Sequence, residues 1–264
     1  MKISRRDFIK TGGKRLLGGV ILYSSVPALM QSLISANVVQ AVHLAQFDWE
    51  EHYWKFVVDI TKCIGCGKCV RACKLENDVP LEPEYNRTWV ERYVITEGDE
   101  FFVDSPEAGI DGFIAPHMNT KYENLEVRKS FFVPKLCNQC EKPPCVQVCP
   151  VAATYMNKEG IILIDRKACV GCGYCIQACP YGVRFLDPRL KVADKCTWCY
   201  HRITKGLAPA CVEVCPVGAR ALGDIRDPED PVRKIIQEQT VGVLKPWAGC
   251  EPKVFYVGLE KGVH

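Results

Sequence analysis

Two short apolar runs stand out in the polarity pattern: Trp54-Lys55-Phe56-Val57-Val58-Asp59-Ile60 and Gly160-Ile161-Ile162-Leu163-Ile164-Asp165. Both are rich in β-branched or aromatic residues, too short for a buried helix and bounded by polar positions, so each predicts a β-strand. Met156-Asn157-Lys158-Glu159-Gly160 sets turn-forming residues ahead of the second run and predicts a hairpin turn. Asp230 followed by Pro231 predicts a helix start running through about Gln237, because the carboxylate can accept orphan N–H groups and proline's φ suits the first helical turn. Residues 74–136 hold few positions at helical spacing and predict loops with short strands. A last apolar run, Val254-Phe255-Tyr256-Val257, predicts a docking surface.

A longer, moderately apolar stretch from Leu16 to about Leu33 follows Ser4-Arg5-Arg6-Asp7-Phe8-Ile9-Lys10, the pattern of a twin-arginine export signal. That route carries proteins already folded around their cofactors, so a periplasmic location is expected. Val39-Gln40-Ala41 fits a small-residue cleavage site, while an uncleaved anchor stays open. Beyond residue 41 no apolar run approaches the ~20 residues that span a bilayer, so membrane attachment is expected through a partner or the retained signal. The formal net charge is +3, but residues 1–41 carry six basic residues and one acidic, leaving 28 basic against 30 acidic. A nearly neutral chain without a basic stripe argues against nucleic acid as partner.

The chemistry lies in the cysteines. Of seventeen, sixteen form four quartets: Cys63, Cys66, Cys69, Cys73; Cys137, Cys140, Cys145, Cys149; Cys169, Cys172, Cys175, Cys179; and Cys196, Cys199, Cys211, Cys215. The first and third read C-x-x-C-x-x-C-x-x-x-C, the ferredoxin run in which three thiolates hold one cubane cluster and the fourth reaches to another. The second and fourth widen one gap, which is tolerable because only the sulfurs must converge. Four 4Fe-4S clusters are therefore expected, and a chain holding four moves electrons. Zinc is the weaker reading, since the third close cysteine is superfluous for a tetrahedral ion. A disulfide framework belongs to domains much smaller than this one. Three quartets end in Cys-Pro, at Pro150, Pro180 and Pro216, and the first in Lys74. Gly65, Gly67, Gly171 and Gly173 suit tight loops, and short helices should follow at Cys69–Cys73 and Cys175–Cys179. Cys250 is left over and reads as a packed or exposed free thiol.

With Cys73-Lys74-Leu75-Glu76-Asn77, Arg87-Thr88-Trp89, Ala193-Asp194-Lys195-Cys196-Thr197-Trp198-Cys199 and Pro209-Ala210-Cys211 through Arg220, the chain resembles the four-cluster electron-transfer (beta) subunit of complex iron-sulfur molybdoenzymes. The likeness runs from about Trp54 to Gly258 and includes polysulfide, thiosulfate, tetrathionate and dimethyl sulfoxide reductase subunits and related proteins of sulfur-metabolism membrane complexes. It implies a non-catalytic subunit that wires a molybdopterin catalytic subunit to an integral membrane quinone-reactive subunit. It also implies the ligand sets Cys63, Cys66, Cys69 with Cys215; Cys73 with Cys196, Cys199, Cys211; Cys137, Cys140, Cys145 with Cys179; and Cys149 with Cys169, Cys172, Cys175. The first set would lie nearest the catalytic subunit and the last nearest the membrane. Cys172 stands where nitrate reductase relatives carry tryptophan, so all four clusters should be 4Fe-4S. The carboxy-terminal transmembrane helix of some formate dehydrogenase relatives is missing, which is why a separate membrane subunit is expected.

The resulting fold class is α+β: two interleaved two-cluster ferredoxin-like modules with a loop-rich insertion. Residues 1–41 form the signal, 54–74 plus 181–225 the outer module, 75–127 the insertion, 128–180 the inner module and 226–264 a C-terminal docking segment. Trp198 and His201 flank the fourth quartet and read as aromatic packing and a surface histidine. Asp104, Asp111, Glu97 and Glu100 lack calcium-loop spacing and read as a solvated face. No nucleophile motif, phosphate loop or dinucleotide fingerprint is present, so no catalytic residue is assigned. Three other readings stay open: a free periplasmic polyferredoxin, the electron-transfer subunit of a quinone-linked sulfur-metabolism complex without a molybdoenzyme, and a reductase in its own right.

Overall fold

The computed structural model describes residues 52–113 and 122–263; the expected export signal and cleavage site lie outside them. The first predicted strand is β1 (Trp54–Asp59). It forms the heart of a four-stranded sheet ordered β10-β11-β1-β9, with β9 at Arg220–Asp224, β10 at Val241–Gly242 and β11 at Val254–Val257. β11 runs parallel to β1, pairing Phe56 with Val254, while β9 runs antiparallel, pairing Val58 with Arg220. With a neighbour on each side and apolar residues on both faces, Phe56, Val57 and Val58 are almost wholly buried. The apolar tail is thus not the expected docking surface. Val254 and Tyr256 are fully buried in β11, because β1 leaves an open hydrogen-bonding edge that this run closes.

A strand–quartet–strand unit then repeats along the chain. β1 leads into the first quartet. β4 (Val127–Leu136) leads into the second, β6 (Ile162–Ile164) into the third and β8 (Ala193–Lys195) into the fourth. The strands leaving quartets two, three and four are β5 (Thr154–Met156), β7 (Arg184–Leu186) and β9. β5 pairs with β6 in the predicted hairpin, its turn closed by Gly160 N–H to Asn157 O, and β7 pairs with β8. The expected helices are present as α1 (Lys68–Glu76) and α3 (Tyr174–Gln177). Similar short helices follow in the other quartets, α2 (Pro144–Gln147), α4 (Tyr200–Ile203) and α5 (Ala210–Glu213). The terminal helix α6 (Pro231–Glu238) starts as predicted, with Asp230 Oδ1 accepting from Val232 N–H at 2.7 Å.

The insertion departs from the expectation of loops and short strands. β2 (Thr88–Thr96) and β4 are nine and ten residues long and form an antiparallel sheet with β3 (Phe101–Asp104), in the order β3-β2-β4. Charged residues inside these strands hide them in the sequence, and each has a partner. Arg92 makes a two-pronged contact to Asp104 at 2.9 and 2.7 Å, and Lys135 meets Glu91 at 3.3 Å. Asp104 is therefore half-buried in an ion pair rather than solvated, while Asp111, which pairs with Arg71, and Glu97 and Glu100 are exposed as expected. A boundary after residue 127 falls inside β4. Among the described residues no helix is long and apolar enough to cross a membrane.

Candidate metal centres

Each quartet wraps its second cysteine with a left-handed residue just before it. Gly65 (φ 66°) and Gly171 (φ 69°) fill that position in the first and third quartets, Gln139 (φ 45°) and Trp198 (φ 54°) in the second and fourth. A non-glycine residue there costs ~1–3 kcal/mol and persists only where its surroundings fix it. They do so reciprocally: Gln139 Nε2 donates to Cys196 O at 2.9 Å, and Trp198 Nε1 donates to Cys137 O at 3.1 Å. Quartets two and four are thereby locked together across a buried junction. Trp198 is packed in the main core as expected, and His201 sits on the surface against Glu76 at 2.7 Å.

All seventeen cysteines are free thiols, so the disulfide framework is not formed. Cys63, Cys66, Cys69 and Cys215 line one largely enclosed pocket; Cys73, Cys196, Cys199 and Cys211 line another. Cys140 faces Cys137, Cys145 and Cys179. Cys175 packs with Cys145, Ile162 and Ala193 in a separate small core that Cys169 joins, while Cys149 is half-buried and Cys172 exposed. The groups are also electrostatic neighbours, Cys211 of Cys69 and Cys196 of Cys137. Backbone N–H groups are aimed at the sulfurs: Ala219 to Cys215 at 3.2 Å, Trp198 to Cys196 at 3.4 Å, Thr154 to Cys149 at 3.4 Å and Ala193 to Cys169 at 3.5 Å. Burial, with the neighbouring thiols adding to it, pushes Cys63 and Cys211 up to about 11 and Cys196 up to about 12. Burial acts the same way on Cys149, but N–H groups of Thr154, Val151 and Ala153 outweigh it and lower that thiol.

Positive charge surrounds these thiols. Arg87, Arg184, Lys195, Arg220 and Lys253 are all buried, and each faces cysteine sulfur. Nη2 of Arg184 and Nη1 of Arg220 have no hydrogen-bond partner in the protein. Buried donors without acceptors and buried cations without counter-charge are both costly. A thiolate-ligated iron-sulfur cluster is an anion with sulfide acceptors and resolves both. Two of the groups of four thiols each line an enclosed pocket. The donors therefore fit clusters.

Several functional side chains carry no local signature. Asn77 Nδ2 lies 3.6 Å from Cys73 Sγ and 3.7 Å from Cys199 Sγ, and its Oδ1 accepts from Arg87 at 2.8 Å. Arg87 in turn grips Asp194 with two bonds of 2.9 and 2.8 Å. Lys74, standing where the other quartets have proline, donates to the carbonyls of Pro80, Glu82 and Tyr85 and folds the chain back toward β2. Of the two readings for Cys250, packed or exposed, the packed one holds, with Cys140 and Cys179 as neighbours. A repeat does mark two of the cations: Cys179-Pro-Tyr-Gly-Val-Arg184 and Cys215-Pro-Val-Gly-Ala-Arg220 share one spacing.

Two stretches match 4Fe-4S dicluster domains, residues 62–153 and 128–225. The chain is 46% identical over 204 residues to a tetrathionate reductase subunit of Archaeoglobus fulgidus, covering 77% of this chain and 81% of that one. It is 39% identical over 211 residues to a tetrathionate reductase subunit of Salmonella typhimurium, covering 79% and 74%. A Hdr-like menaquinol oxidoreductase iron-sulfur subunit 1 of Archaeoglobus fulgidus is 33% identical over 299 residues, covering 97% and 98%.

Proposed function

The chain belongs to the beta-subunit family of complex iron-sulfur molybdoenzymes, and from that premise we propose that it links a periplasmic molybdopterin catalytic subunit to a quinone-reactive membrane subunit. Membership brings four 4Fe-4S clusters and an electron-transfer role in a reductase complex. The clusters would supply one-electron redox chemistry, and the chain's thiols would hold them in succession. The proposed ligand sets are Cys63, Cys66, Cys69, Cys215; Cys73, Cys196, Cys199, Cys211; Cys137, Cys140, Cys145, Cys179; and Cys149, Cys169, Cys172, Cys175. They make two interleaved ferredoxin-like modules, an outer one closed by the β1–β9 pair and an inner one built around the β5–β6 hairpin.

One observation carries this reading: the groups of thiols are near enough in succession to influence one another electrostatically, Cys69 with Cys211 and Cys196 with Cys137, while Arg184 faces both Cys145 and Cys175. A series has two ends. The thiols of the two middle sets are buried apart from half-buried Cys179, whereas Cys63, Cys66 and Cys215 of the first set are half-buried and Cys172 of the last is exposed, so the two ends of the series are the ones open to a partner. Export through the twin-arginine route with residues 1–41 as signal belongs to the same proposal. A second reading draws on the menaquinol oxidoreductase subunit, whose similarity runs through nearly the whole chain: a quinone-linked complex with no molybdoenzyme.

The test separates activities that a relay couples. Removing this chain should leave the catalytic subunit active with a soluble redox dye while quinone-linked turnover disappears. Equal loss of both rates in an otherwise assembled complex rejects the relay. Molybdenum in the complex purified through this chain selects the first reading, and its absence the second.

A further inference from the structure

The repeat Cys-Pro-x-Gly-x-Arg places two arginines in equivalent surroundings. Arg220 opens β9, the strand leaving the fourth quartet, and Arg184 opens β7, the strand leaving the third. In each case a left-handed glycine two residues earlier, Gly218 or Gly182, turns the chain back toward the cysteines. Each guanidinium then bonds the threonine that opens another strand next to a quartet. Arg220 Nη2 donates to Thr88 Oγ1 of β2 at 2.9 Å, and Arg184 Nη1 donates to Thr154 Oγ1 of β5 at 3.3 Å. Both threonines are 2% exposed, and the arginines 3% and 5%. The remaining terminal nitrogen of each, Nη1 of Arg220 and Nη2 of Arg184, is the donor without a protein partner.

The sulfurs each guanidinium meets come from two ligand sets, not one. Arg220 faces Cys63 and Cys69 of the first set and Cys211 of the second. Arg184 faces Cys137 and Cys145 of the third and Cys175 of the fourth. We propose that Arg220 and Arg184 are the internal counter-ions of the relay, each fixed between the two clusters of one module and each raising the reduction potential of both. This rests on the ligand sets assigned above.

The physical reason is charge. Reducing a cluster adds one electron without forming or breaking a bond, so the product is more anionic than the reactant and a fixed cation beside it favours the reduced form. Arginine keeps its proton whatever the surroundings, and in a buried site its charge is weakly screened. Set between two clusters, it also offsets repulsion between an electron on one and an electron on the other. Both partners of a module can then be held in a similar potential range, which suits a conduit in which neither should trap the electron.

The experiment is a potentiometric titration followed by electron paramagnetic resonance on the cluster-loaded protein in its complex, for Arg220→Gln, Arg184→Gln and the two Arg→Lys variants, each with an iron count. Arg220→Gln should lower the potentials of two clusters by at least a tenfold change in the oxidised-to-reduced ratio, about 59 mV for one electron. The other two should stay in place, and Arg184→Gln should move that second pair alone. Lysine at either site should restore most of the shift. Unmoved potentials in glutamine variants that keep all their iron overturn the proposal, as does a shift confined to one cluster. Should a glutamine variant lose clusters, retention at wild-type potentials by the lysine variant supports the counter-ion, whereas loss from both makes the arginine a scaffold and overturns it. A wild-type count far from about sixteen iron atoms instead rejects the four-cluster reading beneath it.

Discussion

At the scale of single residues, burial and distant polar side chains together govern how the thiol pockets behave. Cysteine spacing singles out the sixteen candidate ligands because an iron-sulfur cluster calls for thiolates grouped closely in the chain. The residues that make the pockets electrostatically possible come from far away in sequence: Asn77 reaches Cys199 and Arg87 reaches Asp194, contacts no local pattern encodes. Those pockets also set a pH dependence. Cys63 and Cys211 are raised to about 11 and Cys196 to about 12, mainly by burial, so without clusters these thiols keep their protons at neutral pH. A raised thiol stabilises the cluster-free fold below its ordinary value near 9 and loses that contribution as pH climbs through about 11, whereas ligated thiolates bind no proton at either end. Cluster affinity must therefore rise with pH across that range. Following thiolate absorbance of the cluster-free protein as pH rises should show a group of thiols still protonated after ordinary cysteine, near 9, has ionised; a single ionisation at the ordinary value contradicts the raised values.

At the scale of elements, β1, the β5–β6 hairpin and α6 follow from short patterns, while β2 and β4 do not, because a strand whose charges are neutralised by a neighbouring strand looks like a polar loop until the neighbour is known. The turn after β3 explains why two glycines in one motif are unequal. Gly67 and Gly173 occupy the same place in the first and third quartets, with φ of 71° and 79°. A Cβ on Gly67 would lie 2.2 Å from Gly109 O and 2.4 Å from Ile110 O in the insertion, whereas one on Gly173 would meet nothing within 4 Å. Gly173→Ala should cost only the left-handed backbone penalty, ~1–2 kcal/mol. Gly67→Ala adds a clash with backbone that cannot rotate away, so the insertion must lift from the first quartet. Thermal unfolding of the holoprotein with an iron count tests this: the larger loss should fall on Gly67→Ala, accompanied by loss of iron, and equal melting temperatures would refute the grip of the insertion on that quartet.

At the scale of the whole molecule, the buried cations link cofactor, folding and destination. Arg184 and Arg220 are buried against the thiols, and at neutral pH the protonated thiols of the empty chain supply them little negative charge. Each uncompensated buried charge opposes collapse, so cluster insertion and closure of the fold have to proceed together. Iron and sulfide must then be supplied where the chain first folds, in a reducing compartment, since thiols left open in an oxidising one would pair or oxidise. A chain with this interior that works outside the cytoplasm requires a route that accepts finished protein, which is the route the proposed signal at Arg5 and Arg6 addresses. Replacing both by lysine keeps the charge and removes the pattern the export receptor reads. Fractionation should then find the chain in the cytoplasm still carrying its iron, because folding around clusters does not depend on export. Undiminished periplasmic protein would reject the twin-arginine assignment, and cytoplasmic protein devoid of iron would reject the order of events, loading before transport, that the buried cations require.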